Sequence, residues 1–355
     1  MPTTTKSFFS QITPAQIGMG FAWMGVLIYA SSNSLATLLV DIGAANPVAE
    51  GRNAITFTNL LFLGSLISLI PMIVLFRSDW TRKNLQRLTR RDWRLLTLSA
   101  LLSSAITPGL FFFALEHSSV TNVVLVSRIE PPLFLLAAGF FLKEHVNAKA
   151  LVAGLVALCG AMLMISLRGT GGICEFGIGE VAAVAATFSY IASAIVARRA
   201  LRSIPMGIFS IYRTATGTVI YFLLIAVLQG PQQFQDIFSP VLLLWIWPYA
   251  IVVVVIGQLS WFFALKYARA ADMSLASSFS PVAGIVFAML LLGEKPGPGL
   301  VPGGLLILAS ILIAQMDNAT LFRLRGIWEK PSILVAGGVS RALAPVAVFP
   351  SGRFK

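Results

Sequence analysis

The sequence predicts an all-α membrane protein with ten transmembrane helices arranged as two inverted five-helix repeats. Three observations carry that expectation: a composition too apolar for a water-soluble fold, ten apolar runs between which basic residues alternate sides, and a gapless match between the two halves. Of 355 residues, 57% are hydrophobic and 11% charged, with a mean hydropathy of +0.85. Soluble domains carry about a quarter charged residues, so part of the solvent for this surface is lipid. The net charge of +12 does not point to nucleic acid. No basic segment interleaves with stacking aromatics on a polar domain, and basic residues gathered in cytoplasmic loops account for the charge.

Residues 1–16 read as a cytoplasmic N-terminal segment. The apolar stretch at 17–40 is preceded only by Lys6 and exceeds the core of a signal peptide, so it reads as a retained span. Runs at 53–76, 95–115, 120–142 and 150–167 complete a first repeat over 17–167. Runs at 179–197, 207–228, 241–265, 271–292 and 299–316 make a second over 179–316. Most connections are short, which suits antiparallel neighbours. The exception is 77–94, where Arg77, Arg82, Lys83, Arg87, Arg90, Arg91 and Arg94 meet only Asp79 and Asp92. With Trp80, Leu85, Leu88 and Trp93, this segment reads as a short helix lying on the membrane surface. Residues 317–355 are expected to form a flexible cytoplasmic tail, because Gly337, Gly338, Arg341 and Pro345 interrupt its apolar stretch.

Orientation follows from counting. With the N-terminus inside, cytoplasmic segments collect 21 of the 26 Lys and Arg, and the outer segments hold only Arg52, Arg168 and Lys295. Arg128 and Arg213 lie within spans. That asymmetry places both termini in the cytoplasm, in a plasma (inner) membrane.

At an offset of 150 residues, 112–158 aligns with 262–308 without a gap, and 13 of 47 positions are identical. Shared Leu and Ala are expected in any two apolar helices. Phe112/Phe262, Phe113/Phe263, Ser127/Ser277, Pro131/Pro281 and Glu144/Glu294 are not. A unit of five spans is odd, so its second copy enters the membrane upside down. Inverted repeats are the architecture of carriers that rock about a site near the bilayer midplane.

Here the chain resembles the EamA-type transporters of the drug/metabolite transporter superfamily, with two EamA domains over roughly 17–316. The resemblance rests on the FFAL segments of spans three and eight, Phe112–Leu115 and Phe262–Leu265. It rests also on a proline followed by an apolar run ending in LKE (Leu142–Glu144) or LGE (Leu292–Glu294). Gly179 to Leu201 is similar to the family's sixth span, and Arg52 and Arg213 match the arginine that opens spans two and seven. It implies ten helices with both termini inside, and a secondary transporter of a small-molecule substrate, an amino acid or related metabolite, by export. The chain departs from the pattern at Arg128 and Glu130, so the substrate has to be read from its own residues.

Glu130 is the most informative of these. It sits about ten residues, or roughly 15 Å, from the outer end of its run. A carboxylate at that depth costs at least about 2.5–3.5 kcal/mol, so it faces a cavity or a partner, or carries a proton. It is read either as a proton-coupling or cation-binding group or as half of a structural ion pair. Arg128 is a candidate partner, although positions two apart on a regular helix point about 200° apart. Its long stem also allows it to snorkel outward. Pro131 and Pro281, each placed near the middle of a run, would free the carbonyls of Ser127 and Ser277. They read either as hinges lining a substrate cavity or as packing kinks. Arg213 is a contact for anionic groups or a snorkelling anchor. Asn33, Asn59, Tyr190, Tyr212, Gln258, Trp261 and Ser278 line a cavity or hydrogen-bond between helices. Glu144 and Glu294 read as helix-end markers, and Phe111–Phe113, Trp245 and Trp247 as packing and interface anchors.

Enzyme chemistry is not expected, nor is any cofactor or metal. Cys159 and Cys174 form no CxxC pair, and His117 and His145 no HExxH. A P-loop and a GxSxG elbow are also lacking. Energy would come from a substrate or proton gradient across the lipid bilayer, in a monomer or homodimer. The rival readings are a membrane-embedded enzyme and a non-transporting scaffold or sensor subunit.

Overall fold

Threonines punctuate the start of the first helices in the computed structural model, which describes residues 13–48, 51–118, 126–167, 177–228, 230–295 and 298–315, together with Val123. Thr13 opens α1 (Pro14–Ala45): its hydroxyl accepts the Gln16 N–H at 3.3 Å, and Gln16 Oε1 accepts the Thr13 N–H at 2.8 Å. This reciprocal cap satisfies two otherwise orphaned donors, and Pro14 sits where a missing N–H costs nothing. Thr56, Thr81 and Thr89 open α2 (Phe57–Leu75), the short α3 (Arg82–Arg87) and α4 (Arg90–His117), each hydroxyl accepting the N–H three residues on, with Asp92 returning the bond at Thr89. There follow α5 (Glu130–Leu142), α6 (Ala148–Ser166), α7 (Ile178–Ala200), α8 (Met206–Leu228), α9 (Pro240–Tyr267), α10 (Ala270–Leu292) and α11 (Leu300–Gln315).

Seven of these helices, α1, α2, α4 and α7 to α10, are long and apolar enough to cross a membrane, while α5, α6 and α11 are shorter apolar helices. The 13 residues of α5 reach about 20 Å, less than a hydrocarbon core of roughly 30 Å. The chain is therefore an all-helical, multi-pass membrane protein, with seven rather than ten helices of spanning length among the described residues. Within 77–94 the structure has one short helix before α4, α3; Leu85 and Leu88 pack against the core while Arg82, Lys83 and Arg87 are exposed. The fold described is that of the unit Met1–Ala314. The second unit, Gln315–Lys355, which holds the expected flexible tail, lies outside the described residues but for its first, as do residues 1–12.

Packing interleaves the two halves. α1 lies against α9 and α10, α4 against α7, α2 against α8, and α5 against both α7 and α10. The largest core cluster draws Ala22, Phe134, Ile191, Phe209, Phe262 and Met273 from six helices. With no water to expel between helices in lipid, close backbone approach supplies much of the attraction. At Gly18 a Cβ would lie 2.3 Å from the Ala268 nitrogen, so α1 rests directly on the turn between α9 and α10. Gly160 and Gly303 meet likewise, a Cβ on the first reaching within 2.7 Å of the carbonyl oxygen of the second.

The 150-residue offset extends into backbone detail. α4 carries a π-helical stretch at Leu102–Ile106, and α9 carries one at Ala250–Gly257. α5 and α10 end on left-handed residues, Lys143 at φ 55° and Gly293 at φ 66°. Beyond each, the N–H of the repeat's glutamate turns back to an alanine carbonyl, Glu144 to Ala138 at 3.5 Å and Glu294 to Ala288 at 3.4 Å. The preceding N–H, of Lys143 or Gly293, reaches the same alanine carbonyl, the six-to-one bond that closes a helix on a left-handed residue.

The halves differ at the prolines. Pro281 lies inside the continuous α10, whereas Pro131 stands in the first turn of α5, after a turn at Arg128 and Ile129. The sequence expectation of a mid-helix proline at 131 is thus corrected. Pro131 and Pro132 together remove two N–H groups and press on the carbonyls of Ser127 and Arg128, more than a helix can absorb. A single proline followed by Val282 leaves α10 continuous.

Candidate substrate cavity

The broken start of α5 delivers Glu130 to the interior. A cavity of ≈ 500 Å³ opens there between helices of both halves. Tyr29 comes from α1, Ser103 and Ser104 from the π-helical stretch of α4, and Glu130 from α5. Tyr190 comes from α7, Arg213 and Tyr221 from α8, and Gln258, Trp261 and Phe262 from α9. A smaller pocket of ≈ 120 Å³ shares Tyr29, Ser127, Glu130, Tyr190 and Trp261, and adds Arg128, Pro131, Ser277, Ser278 and Pro281. A third of ≈ 350 Å³ shares Tyr29, Arg128 and Pro281, and reaches Asn33 and Glu294. The first has the size of a small-molecule site, typically about 300–1,000 Å³.

Among the described residues the charges in these cavities are not joined into contact ion pairs. No ion pair joins Glu130 to Arg128, and Arg128 Nε is buried without a hydrogen-bond partner. Arg213 has no carboxylate partner among the described residues; its guanidinium lies 5.0 Å from the Phe262 ring centroid and 6.0 Å from that of Phe209. Cation–π contact holds the cation in place without cancelling its charge. Gln258 is oriented by a 2.9 Å bond from Nε2 to Thr214 Oγ1, and Ser274 Oγ donates to the Pro131 carbonyl at 2.8 Å.

Of the residues singled out in the sequence, Ser127, Arg128, Glu130, Tyr190, Trp261, Ser277, Ser278, Pro131 and Pro281 share the small pocket. Arg213 and Gln258 line the large one, and Asn33 lines the third. Two sit elsewhere: Asn59 donates to the Ala54 carbonyl at 2.9 Å, and the Tyr212 hydroxyl bonds Thr97 at 2.9 Å. Phe111 lines the large cavity, while Phe113 is exposed and stacks on His117 at 4.2 Å. Trp245 and Trp247 are exposed. Sequence reasoning missed Tyr29, which touches all three cavities, as well as Tyr221 and the Ser103–Ser104 pair. A tyrosine in an apolar run was a weak signal for the first. Nothing in the residue types announced the π-helical stretch that holds the serines.

At the far end of α5 the repeat's first glutamate is tied down. Glu144 pairs with Arg198 of α7 at 2.9 Å, and Arg198 also bonds the Ala268 carbonyl and Met273 Sδ. Glu144 Oε2 in addition accepts the N–H of Ala270 at 3.1 Å, capping α10. One ion pair thus joins α5, α7 and the turn before α10. Glu294, its mate, instead borders the open third cavity.

Comparison with known proteins agrees with this architecture. The model of the EamA-like transporter family matches residues 16–166 and again 177–316. Over 300 residues the chain is 37% identical to an uncharacterized transporter of Synechocystis sp., covering 83% of this chain and 86% of that one. Over 271 residues it is 23% identical to the riboflavin transporter ImpX of Fusobacterium nucleatum, covering 71% and 86%. A solved crystal structure superposes with a TM-score of 0.64 at 17% identity, over 86% of this chain and 98% of the other, a likeness of fold alone.

Proposed function

This chain belongs to the EamA-like transporter family, and on that premise we propose that it is a secondary carrier exporting an amino acid or related metabolite by alternating access. The observation that carries the proposal is the central cavity. Its walls come from both halves, and it holds Glu130, Arg128 and Arg213 without ion pairs between them. Buried charges without partners are costly in a membrane interior, and a substrate bearing both an acidic and a basic group would satisfy them. Tyr29, Tyr190, Tyr221 and Trp261 supply apolar faces with polar tips, which suits a substrate with a ring or alkyl body.

In this reading the three shorter helices complete ten spans with both termini cytoplasmic, in the plasma membrane, and the second five run opposite to the first. The distribution of Lys and Arg supports it, as do the repeated π-helical stretches and helix endings. The tied Glu144 end and the open Glu294 end would then be opposite mouths of one pathway, closed and open in this conformation. Glu130 would carry the proton that couples flux to a gradient.

Uptake and efflux in proteoliposomes test the proposal, first with amino acids and, because a relative bears that name, with riboflavin. Saturable flux driven by a pH gradient is expected. Glu130→Gln should keep substrate exchange but lose the dependence on the gradient. A pure scaffold would give no saturable flux with any substrate, and unchanged coupling in Glu130→Gln would end the proton role.

A further inference from the structure

A second concavity lies away from the central cavity, where α4 begins and α5 and α7 end. It measures ≈ 670 Å³, and Arg91, Lys143, Arg199 and Arg202 line it beside a single carboxylate, Asp92. Asp92 is already occupied: it accepts the Thr89 N–H at 2.9 Å, the Thr89 hydroxyl at 2.8 Å and the Ser203 hydroxyl at 2.8 Å. Arg199 is held in place by a 2.7 Å bond to the Phe141 carbonyl. Among the described residues Arg91, Lys143 and Arg199 make no ion pair, and Arg202 makes one of 3.8 Å to Glu144. Four exposed cations around one hollow repel one another, and an anion that bridges them would relieve that repulsion.

Next to the cations stand two exposed aromatic side chains set edge to face. Phe140 is 80% exposed and Phe141 53%, their ring centroids 5.0 Å apart. Leu95 and Leu142 add apolar wall to the hollow. Guanidinium groups grip phosphate oxygens in pairs, and exposed phenyl rings, which have no polar tip, favour acyl chains over water. We infer that this hollow is a binding site for an anionic phospholipid. Its phosphate lies among Arg91, Lys143, Arg199 and Arg202, and an acyl chain runs over Phe140 and Phe141. A free phosphate ion shares the charge chemistry but leaves the two phenyl rings bare, which decides for the lipid. The site is separate from the central cavity and stands whether or not the carrier reading does.

Purified full-length protein, delipidated in a neutral detergent, is titrated with dioleoylphosphatidylglycerol, with dioleoylphosphatidylcholine or with inorganic phosphate. Native mass spectrometry and thermal unfolding report binding. Phosphatidylglycerol should bind at least about tenfold more tightly than phosphatidylcholine and should raise the unfolding temperature. Arg91→Gln and Arg199→Gln, at exposed positions, should each lose most of that preference, while Arg82→Gln on α3 should keep it. Equal binding of the two lipids by the unaltered protein overturns the inference, and that comparison needs no variant to fold. Retention of the preference in both variants does the same. Inorganic phosphate that protects as well as phosphatidylglycerol and displaces it would overturn the lipid as the occupant.

Discussion

The Glu144–Arg198 pair makes a prediction whose size can be worked residue by residue. Arg198 is 7% exposed and Glu144 21%, so the two ends of the pair are unequally sheltered. Glu144→Ala strands a buried guanidinium with only the Ala268 carbonyl and a thioether for company. An uncompensated buried charge costs about 3–5 kcal/mol. Loss of the bond to the Ala270 N–H removes a helix cap worth about 1 kcal/mol. A total of about 4–6 kcal/mol follows. Arg198→Ala leaves Glu144 with the Ala270 N–H, with Arg202 at 3.8 Å and with some water. Its cost should lie nearer about 2–3 kcal/mol. The double variant strands neither charge and should cost no more than Glu144→Ala alone, a coupling of at least about 2 kcal/mol. Reversible unfolding in mixed micelles, followed by far-UV circular dichroism, measures all four species. Additivity within about 0.5 kcal/mol, or a larger loss from Arg198→Ala than from Glu144→Ala, would refute the reasoning.

Other expectations are checked by the same unfolding assay. Lys143→Gly should stabilise by about 0.5–1 kcal/mol, because a left-handed residue carries a side chain there; Gly293→Ala at the mate should destabilise by a similar amount. Gly18→Ala places a methyl 2.3 Å from backbone nitrogen and should cost at least about 2 kcal/mol by forcing α1 off its neighbour. Arg269→Ala should change stability by less than about 1 kcal/mol, since that arginine is 73% exposed although its pair to Asp272 is 2.9 Å. In transport, Arg213→Lys should raise the half-saturating substrate concentration more than it lowers the maximal rate. A compact ammonium cannot keep both the ring contacts and a bidentate grip.

Much of the site was legible because burying charge in lipid is expensive wherever it occurs. Glu130, Arg128 and Arg213 stood out in apolar runs, and all three line cavities that share wall residues. Arg198 was overlooked for the converse reason. At the end of a run, next to Arg199, it looked like one more positive residue marking the inner side. Its partner is 54 residues away, and helix crossings alone bring them together. Asn59 and Tyr212 looked like their cavity-lining peers, but their rotation about the helix axis turns them to Ala54 and Thr97.

The chain alone determined the membrane class, the family and the 150-residue internal match, because hydropathy and a recurring motif are properties of one continuous segment. Like residues in like order impose like local backbone, so a left-handed ending recurs after Leu142 and Leu292. Tertiary structure decided where α5 starts, which of the two glutamates is tied and which polar groups share a cavity. Those outcomes depend on how many helices are rotated and how closely they approach, set by contacts such as Gly18 on Ala268 and Gly160 on Gly303. No single segment contains that information.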